Sequence, residues 1–142
     1  MVLDTNELIH KALEYKAVNK DLDMALKYAM LAVMSTWSPR ADACCVAGEV
    51  YLERNNYEWA KFWYEKAVSN MNCGVDEELP DADYYTKVPI LKLGYISYRM
   101  GNMKAALEYF ESVLRMDPEN EIALDNIASI RKETTDEEET DT

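Results

Sequence analysis

The sequence predicts an all-α fold, a stack of about three helix pairs closed by a capping helix, and three observations carry that prediction. About half of the 142 residues are apolar, 49 %, while Gly and Pro number only four each. That balance suits helices and lacks the turn residues a many-stranded sheet requires. One spacing recurs: Gly48, Ala60, Tyr64 and Ala67 stand twelve, four and three residues apart, and Leu13, Ala25, Ala29 and Ala32 repeat it, as do Gly94, Ala106, Phe110 and Val113. Finally, the stretch from Ser38 to Asn70 reads as two short helices with apolar surface on two sides, so it needs neighbours to bury what it exposes. Small residues let the paired helices approach closely, and the aromatic rings between them are expected to fill the gap to the next pair.

Taken in order, Leu8, Ile9, Ala12 and Leu13 form one helical stripe over Asn6 to Ala17, with Asp4 to Asn6 supplying capping oxygens in front. A second helix is predicted from Asp21 to Ser35, ended by Trp37, Ser38 and Pro39, since proline has no N–H to continue the ladder. The third covers Arg40 to Arg54, Asn55-Asn56 turns the chain, and the fourth covers Tyr57 to Met71. Gly94 lies 46 residues after Gly48, whereas Gly48 lies 35 after Leu13, so about a dozen residues are inserted. The insertion, residues 72–83, is acidic and holds Gly74 and Pro80, which predicts an exposed loop. A fifth helix is expected from Tyr84 to Met100, a sixth from Met103 to Met116, and a polar-faced capping helix from Asn120 to Lys132, with Ala128 standing 34 residues beyond Gly94. The domain so defined spans residues 1–133, and residues 134–142 read as a disordered acidic tail.

Charge narrows the function classes. The formal net charge is −12, from 27 acidic and 15 basic residues, which argues against an electrostatic hold on nucleic acid or an anionic membrane. Asp136, Glu137, Glu138, Glu139 and Asp141 account for five of those charges, leaving −7 on the rest. Three cysteines, Cys44, Cys45 and Cys73, with two adjacent, do not make a disulfide framework, and MVLDTNELIH lacks the basic start and apolar centre of a signal peptide. A cytoplasmic location is expected.

A two-helix unit recurring at about 34 residues resembles the tetratricopeptide repeat. The third unit carries the resemblance best, with Leu93-Gly94, Gly101, Ala106, Phe110 and Pro118 in the family's pattern, while Ser97 stands where an aromatic is usual. The resemblance covers residues 6–133 and implies a right-handed α-solenoid that binds a protein segment without catalysing a reaction. A narrower resemblance links Pro39 to Cys45, Gly48, Tyr57, Ala60, Phe62 to Tyr64, Thr86, Val88-Pro89, Leu91, Leu93, Arg99, Gly101 and Ala106 to the helical tail of bacterial glycosyltransferases. It implies an acceptor-orienting domain, either excised from its catalytic partner or standing alone. Lys87 departs from that pattern, where an aromatic is expected.

Candidate chemistry is sparse. Asp81-Ala82-Asp83 spells a tripeptide suited to a divalent cation, but no nucleotide-binding α/β fold surrounds it. His10 and the cysteines lack zinc-ligand spacing. No catalytic residue, metal or cofactor is assigned. In stacked pairs the first helix of each unit lines the concave side, and with Cys44, Ala47, Gly48 and Tyr51 on the core face, Asp42, Cys45, Glu49, Leu52 and Glu53 turn into the groove. The same register places Glu7, His10 and Glu14 there from the first helix, and Val88, Leu91, Tyr95, Tyr98 and Arg99 from the fifth. A groove acidic at one end and aromatic at the other fits a basic or aromatic protein segment, and self-association through the tyrosines stays open. It does not fit the acidic C-terminal peptides that some tetratricopeptide proteins hold with Lys, Arg and Asn.

Overall fold

The computed structural model describes residues 3–36, 40–70 and 86–140. Among them are seven α-helices and no strand: α1 (Thr5–Glu14), α2 (Leu22–Met34), α3 (Ala41–Glu53), α4 (Tyr57–Ser69), α5 (Lys87–Arg99), α6 (Met103–Met116) and α7 (Glu121–Thr140). The chain divides into two compact units, Met1–Pro89 and Ile90–Thr142. The predicted loop at 72–83, with Cys73 and the Asp81-Ala82-Asp83 tripeptide, lies outside the described residues, as do Trp37, Ser38, Pro39 and Tyr84.

The helix starts follow from local chemistry. Asp4, Asp21, Asn56 and Asn102 each accept a hydrogen bond from the backbone N–H three residues on, at 2.8, 3.1, 3.3 and 3.1 Å, and Asn120 does the same for Ala123 at 3.0 Å. Each satisfies a donor that the helix itself leaves unpaired. The turns inside the pairs repeat as well. Lys20, Asn55 and Gly101 take positive φ angles of 53°, 59° and 84°, and each precedes the capping residue of the next helix. In the second and third turns the capping residue's own N–H reaches back five residues, Asn56 to Tyr51 at 2.9 Å and Asn102 to Ser97 at 2.8 Å. The first turn differs: residues Tyr15–Asn19 form a π-helical turn, and Asp21 reaches back six residues, to Tyr15 at 2.8 Å. The sequence stripe runs α1 on to Ala17, whereas the wider turn takes over after Glu14.

In the first unit, α3 is the interior helix, packed against α1, α2 and α4. Leu8 and Ile9 of α1 meet Ala32 and Ala43, and one turn along Ala12, Ala29, Val46 and Ala47 cluster with Trp63 against them. Alanines at these crossings remove the side-chain bulk that would hold the backbones apart. On α4 the buried stripe is Ala60, Tyr64 and Ala67. Tyr64 lies over Gly48: a Cβ at Gly48 would stand 2.8 Å from its Cε2, so only glycine admits the ring. The ring thus fills the crossing within its own pair.

The second unit has a core cluster formed by Ala106, Phe110 and Val113 of α6 with Ala123, Ile127 and Ile130 of α7. Phe110 covers Gly94 as Tyr64 covers Gly48, again with 2.8 Å to a built Cβ. Helix α7 continues to Thr140, beyond the predicted end at Lys132. The hydroxyls of Thr134 and Thr135 donate to the carbonyls of Ile130 and Arg131 at 2.9 and 2.8 Å, which ties these residues into the helical backbone.

Candidate functional site

The predicted groove residues fall into three groups. On the first unit, Glu7, His10 and Glu14 of α1 and Glu53 of α3 are exposed. Glu49 is largely covered and its carboxylate pairs with Lys16 of the π turn, which cancels the charge the sequence suggests at that point. Leu52 is half-buried.

Asp42 and Cys45 are corrections. Asp42 is 5 % exposed and Cys45 fully buried, so neither side chain stands open to a ligand as the helical register alone suggests. Asp42 is held by Arg40, whose Nη2 stands 3.2 Å from Oδ2, while Oδ1 accepts the Ala43 N–H at 2.9 Å. Arg40 also donates through Nη1 to the Asn6 side chain. A buried carboxylate needs such partners, since stripping water from an unpaired charge costs several kcal/mol, roughly. The group joins the start of α3 to α1 and offers no surface to a ligand. Cys44 is equally enclosed: burial first, and the Asp42 charge second, push its thiol from 9.0 up to about 12. Any stability linked to this raised value is present below pH 9.0 and is lost as pH rises toward about 12, so at neutral pH the thiol is protonated and unreactive.

On the second unit, Leu91 packs half-buried against the core and Tyr95 is 40 % exposed, with Arg99 also exposed. Tyr98 is a partial correction. Its ring packs against the same core and its hydroxyl donates to Glu133 Oε1 at 2.5 Å, so the ring is committed to α7 rather than held ready for stacking. That hydrogen bond is the main reason the phenol is raised above its ordinary 10.0. Ending α7 at Lys132 hid the partner by one residue.

Sequence reasoning missed the outer face of α4. Trp59 and Phe62 are 51 % and 42 % exposed, in edge-to-face contact at 5.5 Å, and Phe62 meets Trp63 edge-on at 5.1 Å. Tyr51 of α3 stacks on Trp59 at 6.1 Å, and Lys66 Nζ lies 5.8 Å from the Phe62 ring centre. The signal was available: with Ala60, Tyr64 and Ala67 as the buried stripe, residues 59, 62 and 66 must point the other way.

Among the described residues no group of three or more His, Cys, Asp and Glu side chains is placed to hold a metal, and no helix is long and apolar enough to cross a membrane. A family model for the tetratricopeptide repeat matches residues 41–70 and 90–120. The first match is α3 with α4 and the second runs from Ile90 of α5 through α6, the two pairs in which an aromatic ring covers a glycine. No curated protein matches the chain, so the likeness to glycosyltransferase tails rests on the residues quoted for it alone.

Proposed function

We propose that the chain is a non-catalytic interaction module that takes a protein segment rich in Lys or Arg on the first-helix surface of its first unit. Repeats of the matched family generally bind proteins or peptides and are generally non-catalytic. The observation that supports a basic segment is the exposure of Glu7, Glu14 and Glu53 on α1 and α3, where carboxylates face solvent and raise the local concentration of a cationic partner. Tyr95 of the second unit supplies a separate apolar contact, suited to an aromatic or aliphatic group.

The reading is tested with fluorescent peptides of matched length, one Lys/Arg-rich with aromatics and one Asp/Glu-rich, followed by anisotropy at low and high salt. The basic peptide binds and the acidic one does not. Changing Glu14→Lys together with Glu53→Lys weakens binding of the basic peptide and flattens its salt dependence. Preferential binding of the acidic peptide, or an affinity that ignores both charge reversals, would remove the site from this surface. Exposure of Tyr95 also fits a second reading, an acceptor-orienting domain in which the ring stacks on a sugar; a neighbouring nucleotide-sugar domain in the same reading frame would favour it.

A further inference from the structure

We propose that the outer face of α4 is a self-association surface on which a second copy of the chain docks its own α4 antiparallel. Solvent-facing aromatic rings are costly to hydrate, and Trp59 and Phe62 are each about half exposed. They are not loose: the edge-to-face contact at 5.5 Å and the support of Tyr51 and Trp63 behind them fix a preformed platform, with little ordering left to do on binding.

What identifies the occupant is the order of charges along this face. Glu58 lies four residues before Phe62 and Lys66 four residues after it, and all three are exposed. A two-fold axis through Phe62 therefore sets each Glu58 against the Lys66 of the other copy, while the Phe62 rings meet at the centre with the Trp59 rings beside them. The pattern acid, aromatic, base is complementary to itself only when the helices run in opposite directions. Parallel pairing would set Glu58 on Glu58 and Lys66 on Lys66. Ser69, seven residues after Phe62 and exposed, extends this face with a polar side chain, and Glu65 is occupied by Lys61 at 3.7 Å within its own helix. An isologous interface of this kind closes on itself as a dimer. It does not depend on the acidic surface of α1 and α3.

Sedimentation of the full chain from low micromolar to millimolar concentration tests the proposal. The native chain shifts from monomer to dimer with concentration, and Phe62→Glu raises the dissociation constant by about tenfold or more, with unchanged far-ultraviolet circular dichroism. The charges give a second, independent readout. Glu58→Lys and Lys66→Glu each leave both end contacts with like charges, so each variant alone stays monomeric at concentrations where the native chain is dimeric. Mixed in equal amounts, they set opposite charges at both ends and associate with each other. A native chain that stays monomeric at millimolar concentration overturns the proposal, as does a dimer that ignores Phe62→Glu or a mixture that fails to recover association.

Discussion

The α3–α4 pair of the first unit and the α5–α6 pair of the second are built on one spacing, yet they treat their first helices differently. In both, the residue sixteen positions after a glycine is a ring lying on that glycine, Tyr64 on Gly48 and Phe110 on Gly94. Helix α3, however, is buried from Ala41 to Gly48, whereas α5 leaves Tyr95 and Arg99 exposed. Polar groups follow that enclosure. Arg40 and Asp42 form an interior ion pair in the first unit, while the second unit ties Tyr98 to Glu133 at its surface. The repeat spacing sets how the two helices of a pair cross; the elements packed around the pair decide which side chains remain for a partner.

The largest effects come from the rings. Tyr64→Ala and Phe110→Ala each remove a fully enclosed aromatic and should cost about 3–5 kcal/mol, read by urea or thermal unfolding. A small effect for one and a large effect for the other would mean that the two pairs do not share a design. Next is Asp42→Ala, which leaves the Arg40 guanidinium buried beside its lost partner and should cost about 3 kcal/mol. The exposed Tyr98–Glu133 contact should matter much less to folding, and comparing Asp42→Ala with Glu133→Ala by the same melts measures the difference in enclosure.

Smaller still are Gly48→Ala and Gly94→Ala, where one added methyl meets a ring 2.8 Å away and overpacking should cost about 1–3 kcal/mol. The smallest effect is confined to alkaline pH. The Glu133 hydrogen bond raises the Tyr98 phenol above 10.0, so its contribution is fully present below that pH and is lost as pH rises through the raised value. Ring-carbon NMR should show Tyr98 titrating late, and Glu133→Ala should bring it back toward 10.0.

The sequence disclosed the parts of this comparison that depend on local chemistry. Asp21, Asn56 and Asn102 cap helices where turn residues precede apolar stripes, so the starts of α2, α4 and α6 fall within one residue of their predicted positions. The spacing placed Gly48 and Gly94 at helix crossings, where Tyr64 and Phe110 lie over them. What stayed hidden depends on polar side chains meeting about one repeat apart: Arg40 with Asn6, Arg54 with Asp23, and Tyr98 with Glu133. Periodicity fixes the separation at which such partners lie but not which of several polar residues there will pair. Asp42 and Cys45 were assigned to a groove for that reason, since a helical wheel gives directions and not the number of neighbours around the helix. The π turn at Tyr15–Asn19 was illegible as well, its residues continuing the stripe of α1 without a break.

A double-mutant cycle on Gly94 and Phe110, run beside one on Gly48 and Tyr64, measures the shared crossing most directly. In the native background each glycine-to-alanine change is destabilising; with Phe110→Leu or Tyr64→Leu in place, the added methyl should have room and its cost should fall. The predicted coupling is about 1 kcal/mol or more, of the same sign in both pairs. If Gly94→Ala or Gly48→Ala costs the same whether or not the ring is present, the ring does not define the crossing, and the two pairs are not built on one contact.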